Sequence, residues 1–352
     1  MSTDLAGLLR AARDVLPAIV DIRRRLHMAP EIGLHLPRTQ AAVVEELRAL
    51  GLEPRLGETT TSVTTIITGA RPGPTVLLRA DMDALPLQED TGLEFASRVD
   101  GAMHACGHDT HVAMLLGGAR LLVERREQLA GNVLLMFQPG EEGFHGARYM
   151  LEEGLLDQAP SDIVGAYGLH IGTRYATGTI NVRPGAQLAA GDTIRITVRG
   201  RGGHASSPHL AADPIIVAAE IILALQSAVT RQVDAFDPLV LTIASVAAGT
   251  TTNIIPETAL LAGTMRSVSD ETREAGRRLV RRVAAGIADA HGLAADVDLE
   301  PGYPVTYNDP TATAFLSGTV RELAGDEVLV PMDHPIMGAE DFSYVLQRVP
   351  GA

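Results

Sequence analysis

Three apolar runs in this chain each end in side chains that bind metals or move protons. Residues 75–83 are mostly apolar until Arg79 and close on Asp81 and Asp83. Residues 131–138 run into Pro139-Gly140-Glu141-Glu142-Gly143, and residues 163–170 close on Gly168-Leu169-His170. Runs this apolar suit strands covered on both faces. Helical spacing between them, over 110–127 and 149–156, predicts alternating strands and helices and therefore a mainly parallel sheet. In extended backbone Asp81 and Asp83 share one face. Ligands in α/β folds sit at the C-terminal ends of the strands, so three such ends with donors predict one shared site.

A nine-residue stretch supplies further donors. Met103-His104-Ala105-Cys106-Gly107-His108-Asp109-Thr110-His111 holds three histidines, an aspartate and the only cysteine of the chain. The alternative to ligation is a buried thiol beside loop histidines. The Cys-x-His spacing favours ligation, because both donors can face one ion, and thiolate with imidazole suits zinc, cobalt or nickel. His104 and His111 read as supporting or structural groups. Adjacent carboxylates such as Glu141 and Glu142 usually mark a solvated turn. At the end of an apolar strand they diverge, so one can hold metal while the other handles protons. His170, at a third strand end, reads as a ligand.

Composition narrows the classes. The chain has 352 residues, enough for two domains, and a core built from Ala, Val, Ile and Leu, since Trp is absent. A formal net charge of -14 argues against nucleic acid or an anionic membrane as partner. One cysteine fits a reducing, cytoplasmic compartment. The opening Met1-Ser2-Thr3-Asp4 has no basic segment before an apolar run, so no signal peptide is expected. The apolar window 214–229 contains Glu220 and Gln226 and reads as a buried helix rather than a membrane span.

The remaining spacing predicts helices over 4–26 and 39–50 and a strand over 61–68. Composition shifts near Gly191. Strand 192–199, helix 211–230, strands 238–247 and 257–266, helix 270–290 and strand 294–300 give the β-α-β-β-α-β order of a ferredoxin-like unit. Helix 310–324, strand 327–331 and helix 340–348 then restore α/β character. Residues 191–300 therefore read as an α+β domain inserted between 1–190 and 301–352. The glycine-rich turn 199–209 carries His204, and its glycines fit turn chemistry as well as an anion site. It lacks the nucleotide phosphate-loop pattern.

Arg-Ala-Asp81-Met-Asp83, His104-Ala-Cys106-Gly-His108-Asp-Thr-His111, Gln-Pro-Gly-Glu141-Glu142-Gly, Gly-Leu-His170, Gly-Gly-His204-Ala-Ser-Ser-Pro-His209 and Met-Gly-Ala-Glu340-Asp341-Phe342 occur in this order. Together they resemble the amidohydrolase branch of the aminoacylase/carboxypeptidase metallopeptidase family, over nearly the whole chain. The resemblance implies hydrolysis of the amide bond of N-acyl amino acids by two divalent ions (Zn, Mn, Co or Ni), with the inserted domain acting as lid and homodimer contact. By matching motif, it implies Cys106, His108, Glu142 and His170 as metal ligands and Glu141 as general base and acid. Asp83 corresponds to an acidic residue supporting the metal site, and His204 to a lid histidine that stabilises the oxyanion. Asn253 and Arg266 match lid positions that meet substrate.

Departures from the family pattern are His145, where a small residue is usual, and His35-Leu36-Pro37 in place of acidic residues. The family pattern also has a C-terminal histidine ligand, which His334 does not match. The chain ends at Pro350-Gly351-Ala352, so the expectation is a truncated chain lacking one ligand and a sheet edge. A dipeptidase or carboxypeptidase of the same chemistry is the alternative, as is a metal- or ligand-binding protein without turnover.

Overall fold

In the computed structural model, which describes residues 5–352, the chain forms two compact units. The first takes in the described part of Met1–Gly185 together with Tyr307–Asp333 and Asp341–Ala352; the second is Ala186–Thr306 with His334–Glu340. In chain order, the first unit begins with α1 (Leu5–His27), α2 (Pro37–Ala49), β1 (Arg55–Leu56), β2 (Val63–Thr68) and β3 (Arg71–Asp81). It continues with α3 (His108–Glu124), β4 (Ala130–Gln138), α4 (Gly146–Glu152), β5 (Ile163–Gly168) and β6 (Ile180–Val182). After β7 (Gly185–Leu188), the second unit contains β8 (Ala190–Arg199), β9 (Gly203–His204), α5 (Pro214–Gln232) and β10 (Leu239–Ala248). β11 (Ile254–Ile255), β12 (Thr258–Ser267), α6 (Asp270–Ala290) and β13 (Ala294–Pro301) complete it. β14 (Thr306–Asn308) precedes α7 (Pro310–Ala324), β15 (Leu329–Pro331) and α8 (Ser343–Leu346) of the first unit.

The sheet of the first unit has the order β1-β2-β4-β3-β5. β3 runs parallel to β4 and β5, while β2 is antiparallel to β4 and β1 to β2. Both faces are covered, which explains the nearly unbroken apolar runs. On β4, Leu135 and Phe137 enter one core with Leu26, Val43, Leu47 and Val112, whereas Leu134 and Met136 enter the opposite core with Leu77, Met150 and Val345. The period of two along one strand thus serves two layers. Pro350–Ala352 lies along β5, with Ala166 N–H donating to Pro350 O at 2.9 Å and Ala352 N–H to Ala166 O at 3.0 Å. A Cβ on Gly351 would lie 2.0 Å from Ala166 O, so only glycine fits that approach.

The second unit is a four-stranded antiparallel sheet, order β10-β12-β8-β13, with α5 and α6 packed on one face. Ile194, Ile196 and Val198 of β8 meet Val217, Ile221 and Leu225 of α5 and Val280 and Ala284 of α6. α5 is long and apolar enough to cross a membrane by length and composition; its Val217, Ile221 and Leu225 pack against the sheet, while Ile216 and Leu223 are exposed. Helix starts follow cap chemistry: Asp213 accepts from Ile215 N–H, and Ser269 from Thr272 N–H with Asp270 and Glu271 in the first turn.

Element ends differ from the sequence reading where caps intervene. α3 begins at His108 rather than Thr110, because Gly107 (φ 88°) adopts the left-handed turn that lets the helix start there. α8 is only Ser343–Leu346, since Asp341 is taken up in hydrogen bonds across the sheet ends. β6, β7, β9, β11 and β14 are two to four residues long, too short to show a period. Position 4, at the start of the first expected helix, lies outside the described residues.

Asp192 ties the start of β8 to α6, accepting from Arg273 and from Arg277, each at 2.7 Å. Burial disfavours its charge, but the two guanidiniums outweigh that and hold its carboxyl below the usual carboxylate range. A depressed folded-state pKa means the stabilisation is present above the unfolded value of about 4 and is lost as pH falls through the folded value. The wild type should therefore lose more stability between pH 6 and pH 3 than Asp192→Asn, measured by denaturant unfolding. Parallel loss in both would contradict this account.

Candidate metal centre

The ends of β3, β4 and β5 and the start of α3 converge. Gly107 permits the convergence twice over: its positive φ starts α3, and a Cβ there would lie 2.3 Å from Ile171 Cδ1. His108, the first residue of α3, is 0% exposed. Its Nδ1 lies 3.5 Å from Asp83 Oδ1 and its Nε2 3.5 Å from Asp81 Oδ2. Nε2 is also 4.0 Å from Glu141 Oε2 and 3.9 Å from Glu142 Oε1. Neither ring nitrogen has a hydrogen-bond partner among the described residues. Burial disfavours a charge on this ring, yet the surrounding Asp81, Asp83 and Cys106 outweigh it and hold its pKa well above the usual histidine range.

Asp83 shapes the facing turn. Its two oxygens accept the N–H groups of Glu141 (2.9 Å) and Glu142 (3.0 Å), so one carboxylate fixes where both glutamates begin. Gly140 (φ 71°) and Gly143 (φ 89°) supply the tight bends around them. Glu141 is buried and Glu142 half-buried, with Glu142 Oε1 unpartnered. Burial is the main cause raising the Glu142 pKa, with the Asp83 charge adding to it and His108 opposing. His170 is exposed, and its Nε2 lies 3.3 Å from the half-buried Cys106 Sγ.

The expected donors therefore come together. Cys106, His108 and His170 each place one ligand atom within 4.8 Å of the others, and so do His108, Glu141 and Glu142. A buried imidazole with both nitrogens unsatisfied, four carboxylates around it and a thiol alongside leave anionic donors short of positive charge. Divalent cations meet that need, and the mixed N, S and O set suits zinc-class ions. Cys106, His108, His170 and the Glu141–Glu142 pair are the residues that could hold such ions.

The other histidines of the stretch are taken differently. His111 donates from Nδ1 to Asp81 Oδ1 (2.5 Å) and accepts at Nε2 from Ile171 N–H (2.9 Å). His104 is buried, and burial pushes its pKa down to about 4. Asp109 accepts from Arg23 (2.7 Å) and pairs with His27 Nδ1 (2.8 Å), joining α1 to the start of α3. His145, the departure from the family pattern, takes φ 58° at the start of α4 and meets Tyr344 Oη through Nδ1 at 2.9 Å. Arg79, Gln138 and Asp341 are buried too; spacing does not single them out, and although each lies within a motif of the resemblance, the sequence reading gives none of them a role.

In the second unit, His204 on β9 pairs with Ile254 of β11, and Ala205 N–H donates to Asn253 O at 3.0 Å. His204 is exposed and its Nδ1 lies 2.8 Å from Ser206 Oγ. This brings His204 and Asn253 together beside the Thr258 end of β12. Arg266 sits at the other end of β12, opposite Gly191, where a Cβ would lie 2.6 Å from its Nη1. At roughly 3.3 Å per residue, the two ends are about 26 Å apart. Arg266 is thus not in the group formed by His204 and Asn253.

Comparison with known proteins agrees with this chemistry. Residues 77–352 match peptidase family M20/M25/M40. The chain is 41% identical over 343 residues to thermostable carboxypeptidase 1 of Saccharolobus solfataricus, covering 96% of this chain and 85% of that protein. It is 39% identical over 335 residues to N-acetyl-L-cysteine deacetylase of Bacillus subtilis, covering 95% and 79%. The crystal structure of a dinuclear metal-binding peptidase of the M20 family from Bacillus subtilis superposes with a TM-score of 0.84 at 35% identity, covering 96% of this chain and 88% of that one.

Chelator-stripped protein titrated with zinc in a calorimeter should bind, and Cys106→Ser or His108→Ala should weaken binding by at least about 10-fold, the loss that even supporting residues of metal sites cause. Unchanged affinity in both variants would remove these residues from the ligand set.

Proposed function

Because this chain belongs to peptidase family M20/M25/M40, we propose that it hydrolyses the amide bond of small N-acyl amino acids, releasing a carboxylic acid and an amino acid. The observation that carries the proposal is His108: fully buried, unsatisfied at both nitrogens, and ringed by Asp81, Asp83, Glu141 and Glu142 with Cys106 at hand. Cys106, His108, Glu142 and His170 would hold two divalent ions. When bound, such ions polarise a carbonyl and lower the pKa of water. Glu141 accepts the proton of the attacking water, and the same carboxyl returns it to the nitrogen as the C–N bond breaks. Asp83 serves both steps indirectly, by anchoring the N–H of Glu141 and so fixing where that side chain begins. The resemblance to the deacetylase supports an N-acyl substrate.

His204 and Asn253 are proposed as polar contacts to the substrate, His204 at the developing oxyanion, and Arg266 as a further contact. One sheet cannot offer both of its ends to a molecule this small. If all three touch one substrate, two copies of the chain are needed, which favours a homodimer with the second unit as lid. A dipeptidase or carboxypeptidase activity is the second reading, favoured by the similarity to thermostable carboxypeptidase 1.

N-acetyl, N-benzoyl and dipeptide substrates, assayed with metal-loaded and chelator-stripped protein, separate these readings. The N-acyl substrates should turn over faster, and only with metal. Glu141→Gln should keep its metals and lose about 10²- to 10⁴-fold in turnover, whereas Glu142→Gln should lose metal. The converse pattern would exchange the roles of the two glutamates, and preferred cleavage of dipeptides would favour the second reading.

A further inference from the structure

A buried line of hydrogen bonds crosses the strand ends beneath the candidate ligands, within the first unit. It begins at Ala147 in the first turn of α4, whose N–H donates to Asp341 Oδ2 at 2.9 Å. Asp341 Oδ1 accepts from Gln138 Nε2 at 2.6 Å, and Gln138 Oε1 accepts from Arg79 Nε at 2.9 Å. Arg79 Nη1 donates to Asp81 Oδ2 at 2.6 Å, and Asp81 Oδ1 accepts from His111 Nδ1 at 2.5 Å. The line ends where His111 Nε2 accepts from the N–H of Ile171 at 2.9 Å. Asp341, Gln138 and Asp81 are 0% exposed, and Arg79 and His111 nearly so.

The hydrogen-bond directions are determined. A backbone N–H can only donate, so Nε2 of His111 is an acceptor and its proton sits on Nδ1, facing Asp81. With both nitrogens committed, His111 has none left for a metal, although its ring lies against both candidate ligand rings. The ring centroids are 5.5 Å from His108 and 4.7 Å from His170. Three segments that carry candidate ligands meet on this line: α3 through His111, the Glu141–Glu142 turn through α4, and the His170 segment through Ile171. Of these, the His170 segment is exposed beyond β5, with Leu169, His170 and Ile171 all facing solvent. The bond to His111 anchors the residue next to His170.

The geometry points to His111 as a positioning residue: its Nε2 holds the Ile171 N–H, and so holds His170 within reach of Cys106 and His108, while Arg79 and Asp81 hold His111. This rests on the metal-site reading above and concerns affinity rather than chemistry. Two substitutions separate its bonds. Asn places an amide near the Nδ1 position and keeps a donor to Asp81 while losing the Ile171 bond. Gln places an amide oxygen near the Nε2 position and keeps the acceptor for Ile171.

The experiment titrates chelator-stripped wild type, His111→Asn and His111→Gln with zinc and with manganese, with circular dichroism as the check on folding. His111→Asn should bind roughly 10- to 100-fold more weakly, and His111→Gln should stay within about threefold of wild type. Wild-type affinity in His111→Asn, or equal loss in both, overturns the assignment. Amide hydrogen exchange of the metal-free wild type supplies a test independent of the variants' folding. Ile171 should exchange far more slowly than its exposed neighbours, and rapid exchange there also overturns it. If wild type binds metal but cleaves no amide, the function proposed above fails while this assignment stands; if wild type binds neither metal, both fail.

Discussion

Everything in the first unit turns on a concentration of negative charge around one buried imidazole. Asp81, Asp83, Glu141 and Glu142 all approach His108 within 4.0 Å, in a place that water scarcely reaches. Such a grouping would repel itself apart without compensation. Part of the compensation is covalent to the chain: Arg79 neutralises Asp81, and backbone N–H groups satisfy Asp83. The remainder, facing Cys106, Glu142 and His170, is left to bound cations. The division is useful. Asp81 and Asp83 are held by protein groups, whereas His108 and Glu142 retain unpartnered atoms, as the proposed metal donors should.

The fold exists to hold that charge in place. A sheet buried on both faces gives three parallel strands whose ends stop at one level, and the flanking cores on either side keep them there. The donors sit just beyond regular structure, on a helix start and two loops, where backbone can bend at Gly107, Gly140 and Gly143. Precision then depends on hydrogen bonds that cross between loops, such as Asp83 to the Glu141–Glu142 turn and His111 to Ile171. The second unit follows a different design, a sheet covered on one face, with His204 and Asn253 beside one end of β12 and Arg266 at the other.

Much of this was legible in the residues. The apolar runs announced two-sided strands, their donor-bearing ends announced a shared site, and the β-α-β-β-α-β order announced the second sheet. What could not be read was whatever depends on pairing between distant segments. Arg79 and Gln138 look like ordinary polar ends of strands until Asp341, some 200 positions later in the chain, closes on them. His111 reads as a supporting group beside His108, but the group it supports, the Ile171 N–H, could not be read from the motif. The separation of Arg266 from His204 follows from the length of β12 together with the pairing of β9 with β11, and that pairing is the part no spacing encodes.

Anomalous diffraction from crystals grown with zinc tests the central claim most directly. The account predicts ion peaks about 2.0–2.3 Å from Cys106 Sγ, a His108 ring nitrogen, a Glu142 oxygen and His170 Nε2, with Asp81 and His111 still bonded to each other. Zinc bound elsewhere, or a saturated crystal in which His108 and Cys106 remain free of metal, would contradict it.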